Sequence, residues 1–382
     1  MPHIQSCLSV RDLKCFLTED PVVEERASIT IYLLNVYSHC SQSVELLRLS
    51  ESALVYIRRT LGDGHGLTWT FLDYNALAHN ELHQYQETID KLETRGEEFL
   101  LSPNPVTLPS AVAMMRRLMS AYNGLGNEKK ALELGEKLVP LCINTLGEDD
   151  MTTCNVMHML SRSYSEVGRL EEAVELCKRV IERQKTFPSD DDARSLKSKH
   201  HLAVTYIKMG LYHEAVDILR HVVEKRKRVL ADDHIDTLGS QMELARAYNG
   251  LGQPGTSISL SVHAIGLGEK AGVPDEELKV WRRNLALYQF RKAVLLWERR
   301  TEPFQPDVII SLMVNAIEIG EKSGKPDEEL KVWRRNLAVC QADKARLLWE
   351  RRTEPFQPDV IISLMVNAIE LGEKSGESDE VL

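Results

Sequence analysis

The sequence has little of what marks an exported, membrane or disulfide-built protein. Its seven cysteines are scattered over 382 residues, odd in number and without a Cys-x-x-Cys pair. That speaks against a disulfide framework and fits a reducing, cytoplasmic compartment. No stretch approaches the roughly 18 uncharged apolar residues of a membrane span, and the first 25 residues lack the basic and apolar blocks of a secretory signal. Residues 1–25 are read as an N-terminal segment ahead of the folded array. Basic residues are outnumbered, 47 against 57 acidic ones for a formal charge of −10, which argues against general nucleic-acid binding.

Catalytic signatures are equally scarce. His79-Asn80-Glu81-Leu82-His83 sets two histidines one helical turn apart, a spacing able to hold zinc, but Glu81 is not where the zinc-peptidase motif needs it. The pair reads as surface histidines. Gly62-Asp63-Gly64-His65-Gly66 has no following Gly-Lys-Ser/Thr and no preceding strand, so it reads as a connector rather than a phosphate cradle. No cofactor, no metal and no enzymatic activity are expected.

What the chain has in abundance is repetition. Tyr122, Tyr164, Tyr206 and Tyr248 recur every 42 residues, each followed four residues later by a glycine, Gly126, Gly168, Gly210 and Gly252. Ala131, Ala173 and Ala215 follow the first three at nine. A period this long means stacked copies of one supersecondary unit. In one copy, Leu202, Ala203, Tyr206, Ile207 and Met209 repeat at helical spacing and Gly210 ends the helix, where a positive φ is favoured. A second helix is predicted from Tyr212, with Ala215, Ile218, Leu219, Val222 and Val223 on its inner stripe. Ala203 and Ala215 let the two helices approach, and Tyr206 fills the groove beside them.

A different unit follows. Residues 268–319 and 320–371 agree at 44 of 52 positions, and a third copy starts at Gly372 and stops at Leu382. Asp275, Glu276 and Glu277 suit the start of a helix running to about Arg300, with Leu278, Trp281, Leu285, Tyr288, Lys292 and Leu296 on one face. Thr301 to Pro306 breaks it, and Asp307 is expected to cap a partner helix from Val308 to Gly320. The apolar run Val308 to Val314 requires cover on nearly all sides. Its counterpart around Ile361, Ile362, Leu364 and Met365 is a candidate for self-association.

The leucine, small residue, tyrosine, glycine and alanine pattern resembles the tetratricopeptide repeat. The 42-residue period and the connectors Leu146 to Thr153 and Leu230 to Leu238 resemble the kinesin light chain subtype. The resemblance is strong over about 105–255 and looser over 26–104, where the tyrosine and glycine positions are not matched. It implies an all-α, right-handed superhelical solenoid of antiparallel helix hairpins. The array divides into degenerate repeats at 26–104, 42-residue repeats at 105–262 and duplicated 52-residue repeats at 263–382.

The resemblance also implies a binding groove lined by the first helix of each hairpin. Its positions fall on Arg116, Arg117, Asn155, His158, Arg162, Lys197, His200, His201, Lys208, Glu243, Arg246 and Asn249, with Glu166 and Glu243 as acids. An acidic protein would thus carry a basic stripe suited to an acidic peptide or a free carboxylate of a partner protein. Acidification would add charge at His158, His200 and His201. Kinesin light chain grooves usually carry asparagine before the leucine, where this chain has Arg117, Met159, His201 and Glu243, so motor attachment is not implied. The expected role is a non-enzymatic scaffold or adaptor, with a regulatory module or an accessory subunit acting in trans as the alternative.

Overall fold

The computed structural model describes residues 23–40, 42–103, 108–184, 193–299, 305–351 and 358–375. The N-terminal segment up to residue 22, residues 300–304 around the predicted helix break and the third copy beyond residue 375 lie outside the described residues. Among those described, the chain is all helix and divides into two units, residues 1–190 and 191–382.

The first unit holds four helix pairs: α1 (Val23–His39) with α2 (Ser43–Leu61), α3 (Gly66–Glu81) with α4 (Tyr85–Leu101), α5 (Leu108–Gly124) with α6 (Glu128–Leu146), and α7 (Met151–Glu166) with α8 (Leu170–Gln184). The second holds α9 (Ala193–Lys208) with α10 (Tyr212–Val229) and α11 (Ile235–Gly250) with α12 (Pro254–Ala271). Two longer pairs follow, α13 (Asp275–Arg299) with α14 (Pro306–Lys322) and α15 (Asp327–Arg351) with α16 (Pro358–Ser375). The bounds of the last two pairs recur at the 52-residue offset of the duplicated sequence, except that α16 ends one residue later than α14 does.

The predicted chemistry of the 42-residue copy is present. Gly126, Gly168, Gly210 and Gly252 have φ of 69° to 83°, the left-handed region that glycine enters without a Cβ penalty. At each, the next backbone N–H bonds back to the tyrosine carbonyl, as from Leu211 to Tyr206 at 2.9 Å and from Gln253 to Tyr248 at 2.9 Å. Ala131, Ala173, Ala203 and Ala215 are fully buried, so a larger side chain at Ala203 is expected to cost about 1–3 kcal/mol by overpacking.

The same turn extends further toward the N-terminus than the sequence pattern suggests. The N–H of Gln42 bonds to the Tyr37 carbonyl and that of Gln84 to the His79 carbonyl, at 2.9 and 2.8 Å. Tyr37 and His79 therefore hold the tyrosine slot of the first two pairs. His83 stands in the glycine place with φ 57°, and Leu46 and Thr88 stand in the alanine place, fully buried. The 42-residue rhythm hides in 26–104 because different side chains meet the same backbone requirement.

Connectors are built alike. Asp150 accepts from the Thr152 N–H at 2.7 Å, His65 from Leu67 at 3.2 Å and His234 from Asp236 at 3.1 Å, each capping the helix that follows. Gly62, at φ 83°, ends α2, so the Gly62 to Gly66 segment is a connector, as read. Asp307 is not the cap of α14. Gln305 holds that position without a side-chain bond and Pro306 opens the helix, because proline's fixed φ already suits the first helical residue.

Core packing follows the pairs. One cluster runs through the first unit from Ala27 to Val180. The second unit has three, around Ala203 and Leu219, around Leu238 and Trp281, and around Ile309 and Trp333. The buried thiols Cys142 and Cys177 are pushed up to about 11 by burial, which suits packing rather than reactivity.

Candidate functional site

The first helices of successive pairs lie against one another, α1, α3, α5 and α7 in the first unit and α9, α11 and α13 in the second. This layer carries all twelve groove positions. In the first unit it is stitched by polar contacts: Thr70 Oγ1 to Ser110 Oγ at 3.1 Å, and Asn80 Nδ2 donating to the Arg117 carbonyl at 2.9 Å.

The positions are not equivalent. Arg117 gives Nε to Asp73 Oδ1 at 2.8 Å and Nη2 to Oδ2 at 3.4 Å, a forked pair between α5 and α3. Its charge is thus engaged within the fold. Arg116 beside it is half-buried, and burial, together with the Arg117 charge, lowers its pKa. Asn155 and His158 on α7 are half-buried, and Arg162, a turn further on, is exposed.

In the second unit Lys197 and Lys208 are exposed on α9, and His201 is half-buried. Arg246 forms an ion pair with Glu243 on α11 at 3.2 Å. Burial raises the Glu243 carboxyl while Arg246 and Lys208 pull it back. His200 corrects the expected acid response. Its Nδ1 lies 3.2 Å from Ser240 Oγ, and burial, reinforced by Arg226, lowers its pKa to about 3. It stays neutral through mild acidification and adds no charge to the face.

Arg226 explains this environment and was not anticipated. It is buried on α10 and donates through Nη1 to the Asp236 carbonyl and to Ser240 Oγ, both at 2.7 Å. Nothing in the sequence separates it from its half-buried neighbours Lys225 and Lys227, since only the helix phase turns it inward. Asp73 was missed for another reason. It precedes His79 by six residues, as His158 precedes Tyr164 and His200 precedes Tyr206. Its register becomes visible only once His79 is recognised in the tyrosine slot.

Asn249 has the most specific setting. It is 8% exposed, and its side-chain Oδ1 is buried with no hydrogen-bond partner. It lines a cleft of about 360 Å³ with Pro254, Phe290, Arg291, Val294 and Leu295. Arg291 is exposed at this cleft. An unmet acceptor, an accessible guanidinium and apolar walls are the elements of a peptide subsite.

The histidines at 79 and 83 are not a surface pair. His79 is buried, with Nδ1 2.8 Å from Gln84 Oε1 and Nε2 2.6 Å from Lys91 Nζ. An ammonium only donates, so Nε2 accepts and Nδ1 carries the proton to Gln84. Both ring nitrogens are therefore occupied. His83 meets the Tyr85 hydroxyl at 2.8 Å, and Glu81 accepts from Ser43 at 2.7 Å. Among the described residues no group of three or more His, Cys, Asp or Glu could hold a metal ion, and no helix is long and apolar enough to cross a membrane.

Paired helices in a repeated stack, with polar positions on the layer of first helices, define a helical repeat protein. Tetratricopeptide repeat family models match residues 110–186 and 195–236. Over those residues the chain carries tetratricopeptide repeats. A Podosopora anserina protein described as a kinesin light chain with nearly identical TPR-like repeats is 27% identical to it. That match covers 57% of this chain and 99% of the other, with a TM-score of 0.45. BtubC from P. vanneervenii is 14% identical, covering 67% and 94%, with a TM-score of 0.46. A Rap protein solved in complex with competence and sporulation factor is 9% identical, covering 92% and 99%, with a TM-score of 0.55. That last likeness shows the fold alone. No curated protein matches the chain.

Proposed function

We propose that this chain is a non-enzymatic adaptor that holds an acidic segment of a partner protein along its layer of first helices. Support comes first from Asn249, whose Oδ1 is buried and unpartnered at a cleft bearing Arg291. A buried acceptor left unmade costs about 1–3 kcal/mol. An extended peptide placed there supplies the missing N–H donor to Asn249 and a carboxylate to Arg291, with Phe290, Val294 and Leu295 receiving an apolar side chain. Lys197 and Lys208, exposed on α9 of the same unit, add positive charge to it. Arg117 and Arg246, already paired with Asp73 and Glu243, contribute less than their number suggests.

The test is a titration of fluorescent acidic peptides from a mixed-sequence library. The best binder should lose at least about tenfold in affinity with Arg291→Glu, as expected for a charged hydrogen bond worth about 1.5–3 kcal/mol. Asn249→Ala should weaken binding with unchanged salt dependence. Affinity for the unaltered chain should fall as salt shortens the Debye length from about 10 Å at 0.1 M to about 3 Å at 1 M. A binder indifferent to both substitutions places the partner surface elsewhere.

A further inference from the structure

The duplicated units contain one helix sequence twice in two different settings. Residues 306–322 and 358–374 differ only at Ile319 against Leu371. In α14, Met313 is fully buried and Ile317 is 8% exposed; in α16 the equivalent Met365 and Ile369 are each 48% exposed. Ile362 is 60% exposed and Val366 47%. Ala316 and Ala368 are both buried. The alanine and the glycine, Gly320 and Gly372, are thus covered in both copies, and the stripe of Met313 and Ile317 is covered only in α14.

What covers it in α14 is visible. Leu330, Trp333 and Leu337 of α15 pack with Met313, Ile317 and Gly320 in one cluster. A Cβ on Gly320 would come within 2.9 Å of Leu330 Cδ2, so the glycine is what permits the approach. Arg334 fixes the register, donating to Glu321 Oε1 at 2.8 Å and to Asp327 Oδ1 at 2.9 Å. Lys325 lies 4.8 Å from the Trp333 ring centroid. Gly372 and Glu373 stand in α16 where Gly320 and Glu321 stand at the end of α14, and Glu373 is exposed.

We infer that the outer face of α16 is a docking site for an amphipathic helix of the α15 kind. That helix presents Leu-x-x-Trp-Arg-x-x-Leu, its leucines and tryptophan over Met365 and Ile369 and its arginine on Glu373. The occupant's chemistry is specified by the interface that an identical surface already makes within this chain. This site lies on another surface from the proposed peptide cleft, and each stands without the other.

The probe is a labelled peptide spanning residues 326–344, titrated against the full chain. Saturable binding is expected, weakened at least about tenfold by Ile369→Asp in the chain or by Trp333→Ala in the peptide. Glu373→Arg should weaken it and Arg334→Glu in the peptide should restore it, which reads the register directly. Bound peptide should also protect Met365 from peroxide oxidation. A short peptide can fail to bind because it is not helical alone, so the same residues are also appended in cis after residue 375. That extended chain should melt higher than its counterpart with the appended tryptophan and leucines replaced by alanine. Absence of both binding in trans and stabilisation in cis overturns the proposal. So does concentration-dependent dimerisation abolished by Ile369→Asp with no peptide binding, which assigns the face to a second copy.

Discussion

The hydroxyl of Tyr122 donates to Glu93 Oε1 at 2.7 Å. Lys130 reaches the same oxygen at 2.6 Å while lying 5.4 Å from the tyrosine ring centroid. One repeat later Tyr164 bonds to Glu136 at 3.0 Å, and Arg169 completes the set, 4.4 Å from the Tyr164 ring and 3.0 Å from Glu136. The recurring tyrosine thus does more than fill a groove. It ties the second helix of one pair to the first helix of the next through a shared carboxylate, with a cation closing the group.

Removing the hydroxyl tests this tie. Tyr122→Phe keeps the ring and its burial, so the expected loss is that of one hydrogen bond to a charged acceptor, about 1.5–3 kcal/mol at most. Thermal or denaturant unfolding would show it. Glu93 is held below the ordinary carboxylate range by Lys130 and Tyr122. Its contribution is therefore present above the unfolded carboxylate pKa of about 4.3 and lost as pH falls through the folded value. The difference between parent and variant should shrink below that pH; a gap that persists in acid would assign the effect to packing.

Ala231 is expected to be an improvable position. Gly62 and Gly147 end α2 and α6 with φ of 83° and 90°, and Ala231 holds the same place after α10 with φ 97°. Each precedes a connector in which a threonine or cysteine of the next helix reaches back, as Thr237 Oγ1 does to the Ala231 carbonyl at 2.9 Å. A Cβ in this region costs about 1–2 kcal/mol, and glycine's extra freedom in the unfolded chain offsets part of that gain. Ala231→Gly should raise stability by up to about 1 kcal/mol. A lower melting temperature would mean that the alanine is not strained.

His200 should make the second unit acid-sensitive. Its pKa is about 3 in the fold and about 6.5 when unfolded. The unfolded chain then binds the proton more readily, so stability rises with pH across this window. The contribution is complete above about 6.5 and declines progressively toward 3. His200→Gln should flatten the fall in melting temperature between pH 7.5 and pH 4.5. An acidic peptide should gain no affinity at pH 6 through this residue, and a gain abolished by His200→Gln would contradict the burial argument.

Much of the fold could be read from spacing alone, because a repeat states its own constraints several times. The 42-residue interval, the glycines at positive φ and the buried alanines depend on local backbone geometry and helix-to-helix distance. Each leaves a residue type behind. The 52-residue units likewise declare their helices through duplicated stretches, acidic first turns and proline starts.

Tertiary structure decided what a side chain's surroundings decide. Tyr37 and His79 belong to the tyrosine series by their backbone turns and not by residue identity in every case. His79 is a buried ring between Gln84 and Lys91, and its two nitrogens are spent there. The cations of this face looked alike in sequence, yet Asp73 claims Arg117, Glu243 claims Arg246, and burial, reinforced by the buried charge of Arg226, keeps His200 neutral. Asn249 shares a cleft with Arg291 of α13, which lies far along the chain. Two helices of nearly identical sequence, α14 and α16, differ in exposure because burial belongs to a contact between elements, and no sequence pattern within one element can specify whether its partner is there.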